Sequence, residues 1–210
     1  MFAALLPPWQ AAIEEAWDAF LQTGSLPIGA AIVNETGEII AVGRNAVHSE
    51  ASDQPVASHA LAHAELNALL AADLREHNPK TCALYTTTQP CPLCLGACVM
   101  ANVKRIHFAS RDPWAGATDL LQATEYMRRQ NVEAIGPKDE ALESVLVALQ
   151  AAAHLREDEA RAQPLLAAWN TVAPRGVALG RELHASQMLG AYAAQSAPAA
   201  QVIDRLNGML

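Results

Sequence analysis

Over the first 138 residues the apolar positions switch repeatedly between a helical and a strand period. Trp9, Ile13, Ala16, Trp17 and Phe20 recur at helical spacing after Pro7 and Pro8, and Gly24 stops the run, which predicts a first helix. Two short apolar runs, 27–34 and 38–42, flank Glu35-Thr36-Gly37 and predict a hairpin closed by a glycine turn. A polar loop at 45–56 leads into a helical stripe at 57–76, carried by Leu61, Leu66, Leu69, Leu70 and Leu74 and broken by Asn78-Pro79. A β-type run at 82–87, a helix at 91–102, a strand at 105–109, a helix around 119–129 and a short strand near 132–135 complete the series. Two antiparallel strands followed by strand and helix in alternation predict an α/β fold with helices on both faces of the sheet.

From Asp139 the pattern changes. Alanine becomes dense, β-branched runs disappear, and Pro164, Pro174 and Pro198 punctuate what read as three or four helices. The organisation expected is a domain at 1–138 with a helical extension at 139–210. Ala-rich amphipathic helices mostly serve packing, so the extension is expected to cap one face of the sheet or a second subunit, in preference to recognising a substrate.

Composition narrows the classes. With 51% hydrophobic and 17% charged residues in 210, the chain is not disordered throughout. Residues 1–138 carry 9 Lys and Arg against 14 Asp and Glu, and 139–210 carry 5 against 8, so neither part is basic. Phosphate-directed binding needs concentrated positive charge, and the net charge of -8 makes a nucleic-acid partner unlikely on composition. No apolar run reaches the ~18 residues of a membrane span. The first ten residues lack the basic leader of a signal peptide, and four Cys without one point to a reducing, cytoplasmic setting.

Three features carry chemistry: His63-Ala64-Glu65 in the central helical stripe, Pro90-Cys91-Pro92-Leu93-Cys94 at a strand-to-helix junction, and the 27 residues between His63 and Cys91. A Cys-x-x-Cys at a helix start turns both thiolates toward one metal, and a histidine from another helix makes three protein ligands. Three ligands leave a fourth position to water, whose pKa a zinc ion lowers from ~15.7 toward ~7, the mark of a catalytic site. Glu65 stands close enough to take up the proton without binding the metal. The competing readings are a purely structural zinc site, which has no use for Glu65, and a thiol redox pair, which has no use for His63 or Glu65.

With His-x-Glu followed by Pro-Cys-x-x-Cys, the sequence resembles the cytidine deaminase-like superfamily. The resemblance covers about residues 5–135 and includes Leu26-Pro27-Ile28-Gly29-Ala30-Ala31-Ile32-Val33 as the first strand and Gly43-Arg44-Asn45 at the end of the second. Cys94-Leu95-Gly96-Ala97-Cys98 is similar to the helix after the metal ligands in the guanine deaminase and tRNA adenosine deaminase branch. The resemblance implies a three-layer α/β/α sandwich with a mixed five-stranded sheet, one zinc ion held by His63, Cys91 and Cys94, and Glu65 as proton shuttle. It implies that Asn45 and the Ala64 backbone N–H bind the base, and that the chain pairs as a homodimer.

The implied activity is hydrolytic deamination of a free nucleobase or nucleoside, purine and guanine-like in preference to cytosine. The alternatives are deamination of adenosine in tRNA and an inactive zinc-stabilised binding module. Departures from the family pattern concern the pocket: Thr88-Gln89 precedes Pro-Cys where relatives carry Glu, and the loop before His63 is long, with His48, Glu50, Asp53 and His59. His59, four residues before His63, would share its face on a continuous helix. Trp114 reads equally as a base-stacking aromatic or a packing residue, and Asp112 as a substrate-orienting group or a turn cap. Cys82 and Cys98 read as core thiols, and Glu157-Asp158-Glu159 as a solvated helix face.

Overall fold

The computed structural model of the chain describes residues 1–50 and 53–210, so positions 51 and 52 of the expected 45–56 loop lie outside the described residues. Helix α1 (Pro7–Thr23) opens on two prolines in its first turn, where a missing N–H costs nothing, and closes on Gly24 in the left-handed region at φ +66°. Strands β1 (Gly29–Val33) and β2 (Ile39–Arg44) form the expected hairpin. Its turn is organised by Asn34, whose Oδ1 accepts from the Thr36 and Glu38 amides, and by Gly37 at φ +83°.

Then follow α2 (Ala64–Ala71), β3 (Ala83–Thr86), α3 (Pro92–Met100), β4 (Arg105–Phe108), α4 (Glu125–Arg129) and β5 (Glu133–Ile135). The sheet order is β2-β1-β3-β4-β5. β1 is antiparallel to β2 and β3, whereas β3, β4 and β5 run parallel, as a mixed sheet requires. Strand alternation divides the two faces: Ala30, Ile32, Leu84 and Ile106 join the apolar core under α2 and α3. On the other face Tyr85 meets Trp9 of α1 edge-on and stacks on His107. The three-layer arrangement is as expected.

Two helices differ from the sequence pattern. The stripe at 57–76 folds as helix only over Ala64–Ala71, with His63 as its N-cap, and Leu61 and Leu70 are exposed. His63 and His59 therefore share no helical face, and the exposed His59 accepts the Leu61 amide through Nδ1. The region at 119–129 splits into a 3₁₀ turn (Thr118–Gln122) and α4, whose N-cap Thr124 accepts from the Met127 amide.

Beyond β5 come five helices, one more than the prolines suggested: α5 (Glu140–Glu157), α6 (Glu159–Trp169), α7 (Pro174–Ala185), α8 (Met188–Ala194) and α9 (Ala199–Asn207). Pro174 and Pro198 stand at helix starts, but Pro164 lies within α6. The acidic run at 157–159 is a break between helices, with Asp158 capping α6 through the Arg161 amide and Glu157 bound to His48. α5, α7 and α9 bury Val145, Leu149, Leu183, Val202, Ile203 and Leu206 with Ile13, Trp17 and Phe20 of α1 in one core, and the Trp17 indole donates to the Ala197 carbonyl. The Ala-rich helices thus complete the layer that α1 begins.

Gly43 sets the distance between β2 and α2. A Cβ there would overlap the Ala64 carbonyl and the Ala68 amide, both backbone atoms that cannot move independently of the helix. Gly43→Ala is expected to destabilise the fold by roughly 1–3 kcal/mol, as overpacking does. Because α2 begins at His63, the variant should also bind zinc more weakly. Urea denaturation together with zinc titration would check both.

Candidate active site

Two helix N-termini meet at one point. His63 caps α2 and Cys91 caps α3, with Cys94 one turn further along α3. His63 Nδ1 lies 3.6 Å from Cys91 Sγ and 3.4 Å from Cys94 Sγ, and the two sulfurs are 3.6 Å apart. Tetrahedral zinc with bonds of ~2.3 Å to sulfur and ~2.0–2.1 Å to nitrogen would set such donors ~3.6–3.8 Å apart, so the donor set fits that ion. Among the described residues the converging ligand group consists of these three.

The electrostatics favour a thiolate at Cys91. The hydrogen bond between Cys91 and Cys94, with the adjacent His63 imidazole, pushes the Cys91 thiol down to about 4. The same hydrogen bond and burial push Cys94 up, and the Cys91 thiolate raises His63. Glu65 is buried in the first turn of α2, with Oε1 accepting from Thr86 Oγ1 at 3.2 Å and Oε2 lying 3.2 Å from Cys94 Sγ. Desolvation holds its carboxyl above the usual range. Cys98, one turn beyond Cys94, is fully buried in the core, and so is Cys82.

These groups open into a cavity of about 270 Å³. His63, Glu65, Cys91 and Asn45 line it, as does Trp114, which is 57% exposed. Asn45 is buried and uses its Oδ1 to accept the Val47 amide. Ala64 does not line the cavity. Its side chain sits in the core, and its N–H belongs to the first turn of α2, where helical amides have no intrahelical partner. Asp53 bonds Arg44 at 2.5 Å, and His48 reaches Glu157 at 3.0 Å, so both brace the loop.

Sequence reasoning missed one wall. Gln150 and His154 of α5 and Leu165 and Trp169 of α6 face the same space. The only trace in the sequence is that Gln150 interrupts Leu146-Val147-Ala148-Leu149 and Ala151-Ala152-Ala153, a run otherwise apolar on every side. Asp112 caps its turn through the Trp114 and Ala115 amides and also accepts the Trp169 indole N–H at 2.9 Å. Gln89 accepts the Asp112 amide and donates to Thr118, and so tethers the Trp114 loop. A bidentate pair from Arg111 to the buried Glu143 joins this loop to α5.

The family profile for the cytidine and deoxycytidylate deaminase zinc-binding region matches residues 8–110. A tRNA-specific adenosine deaminase of Bacillus subtilis is 34% identical over 125 residues, which span 59% of this chain and 72% of that protein. The chain belongs to the cytidine deaminase-like family of zinc-binding deaminases. A tRNA(Ile)-lysidine synthase of Deinococcus deserti is 38% identical over 104 residues, 47% of this chain, and the chain spans only 18% of that protein's length. A solved tRNA:A34 deaminase shares the fold with a TM-score of 0.52 at 22% identity, over 61% of this chain and 95% of the other. Zinc is the metal of this family, and His63, Cys91 and Cys94 are the residues that fit it.

Stripping the metal should expose a division between the two thiols. Cys91, a thiolate above pH about 4, is expected to be alkylated by iodoacetamide at pH 6, and to lose that reactivity as the pH falls through 4. Cys94, held protonated, should react far more slowly. Bound zinc should protect both, and peptide mapping of alkylated protein with and without chelator would read the difference.

Proposed function

We propose that this chain is a zinc-dependent hydrolytic deaminase of a free nucleobase or nucleoside, with purines favoured. The carrying observation is Glu65, buried beside the three-donor set at the end of a small cavity walled in by the C-terminal helices. Zinc, when bound, supplies water at neutral pH with its proton made labile. Glu65, its carboxyl raised by burial, would take one water proton as the water oxygen bonds the amino-bearing carbon, pass it to the adjacent ring nitrogen, and then carry the remaining hydroxyl proton to the amino group, so that the C–N bond breaks, ammonia leaves and the carbonyl forms. The Thr86 hydroxyl holds Oε1 and keeps the carboxylate turned toward the donors.

Asn45 holds the base through its amide N–H, since its Oδ1 is engaged with Val47. Trp114 at the rim offers a flat face for stacking. A volume of about 270 Å³ sits below the ~300–1,000 Å³ of drug-sized ligand pockets, which suits a base or small nucleoside. Purine preference draws on the name of the Bacillus relative, since adenosine is a purine nucleoside.

That same relative favours a second reading, adenosine within tRNA. A net charge of -8 and the walling of the cavity by α5 and α6 weigh against it, because a flipped nucleotide brings flanking phosphates that call for basic contacts. Release of ammonia from free purines, with no salt-sensitive tRNA binding, is the expected outcome of a screen across bases, nucleosides and tRNA. Turnover of tRNA alone would reverse the choice. Glu65→Gln should keep its zinc and its melting temperature yet lose roughly 10²–10⁴-fold in kcat, as removal of a general acid-base does. Normal turnover in that variant would remove Glu65 from the mechanism.

A further inference from the structure

Gln150 is the one strongly polar side chain in the buried middle turns of α5, and it is 3% exposed. Its Nε2 donates to Thr88 Oγ1 at 2.6 Å, three residues before Cys91. Its Oε1 makes no hydrogen bond among the described residues. No fully enclosed side-chain oxygen or nitrogen among those residues lacks a partner, so this oxygen must open to space, and the space that Gln150 lines is the cavity above Glu65. A buried amide held at one end and open at the other is a fixed acceptor. An acceptor so placed exacts a desolvation penalty from any ligand that brings no N–H to it.

We propose that Gln150 is a specificity-determining residue whose Oε1 accepts a ring N–H of the substrate, which selects free bases over nucleosides. The proposal rests on the deaminase reading of this cavity. The chemistry of the candidate bases gives it direction. Beyond the amino group that is lost, adenine and cytosine each carry a single ring N–H, on a nitrogen that bears the sugar in the common nucleoside. In guanine one of two ring N–H groups is replaced in the same way. A base therefore satisfies Oε1, and its nucleoside brings a ribose carbon instead. Leu165 and Trp169 line the same cavity, and the Trp169 indole N–H is tied to Asp112. Specificity would then come from helices outside the matched span of 8–110.

Steady-state deamination of adenine, guanine and cytosine, each beside its nucleoside, tests this in the zinc-loaded full chain and in Q150M and Q150E. The wild type should favour base over nucleoside by about tenfold or more in kcat/KM, the scale of one hydrogen bond to a buried group. Q150M keeps the length of the side chain without the acceptor. It should lower kcat/KM for the base by about tenfold and leave the nucleoside within about threefold. Q150E, which accepts the ring N–H and also the Thr88 hydroxyl proton, should restore most of the loss.

Titration calorimetry of the preferred base into the Glu65→Gln protein, with and without Q150M, reads the same contact as affinity in the absence of turnover. Melting curves separate lost stability from lost recognition. Equal losses for base and nucleoside, or the same loss in Q150E as in Q150M, would overturn the role of Gln150. A wild type that prefers nucleosides would overturn it as well, with the deaminase reading intact. Absence of ammonia from every base and nucleoside would bring down the reading of the cavity, and this proposal with it.

Discussion

Bringing one imidazole and two sulfurs to within bonding distance of a common point is the constraint that the rest of the molecule serves. His63 and Cys91 are helix caps on different elements, and their Nδ1–Sγ separation of 3.6 Å depends on how closely α2 and α3 sit on the same face of the sheet. Close approach is bought by removing side chains. Gly43 lets the backbone of α2 rest on β2, and Gly29 does the same for α1 on β1, where a Cβ would strike the Ala12 carbonyl. Helices α2 and α3 both begin at the donors, so their N-terminal dipoles favour negative charge at that spot. The ordering of thiols, with Cys91 low and Cys94 high, arises from the hydrogen bond between them and from the burial of Cys94.

Much of this arrangement was legible in the chain. The hairpin, the parallel strands and α3 are found within two or three residues of their expected bounds, because each has an apolar period, and the hairpin, α3 and β5 have a Gly or Pro at one end. The donor triad was legible because its chemistry demands a fixed spacing on α3. The stripe at 57–76 misled for a physical reason: leucines at helical spacing are compatible with a short helix whose ends unwind where no partner covers them. Leu61 and Leu70 have no such cover, and the chain leaves the helix after Ala71. His63 is consequently a cap, and its proximity to His59 in sequence carries no metal-binding meaning.

The C-terminal helices were legible as helices and not as part of the cavity. Their dominant signal is the apolar faces by which α5, α7 and α9 pack on α1 and α6 packs on α5, and the residues that line the cavity do not disturb that period. Trp169 and Gln150 reach the site through partners that lie 57 and 62 residues away in sequence, Asp112 and Thr88. Contacts of that separation leave no local pattern. Asp112, which read either as a turn cap or as a substrate-orienting group, caps its turn, and the same oxygen also holds the indole of α6.

Polar bonds, more than apolar contact, fix this wall against the Trp114 loop, and that choice has a mechanical consequence. An apolar seam tolerates sliding, because burial is non-directional. The Trp169–Asp112 bond, the Arg111–Glu143 fork and the Gln150–Thr88 bond each have one good geometry, and breaking any of them strands a buried group at about 1–3 kcal/mol. Together they lock α5 and α6 to the segments on either side of Cys91 and the loop after β4. These bonds join the helical wall to Thr88 and to the loop that carries Trp114. A cavity built this way discriminates by fixed polar positions, whereas one closed by a mobile apolar lid would discriminate mainly by size.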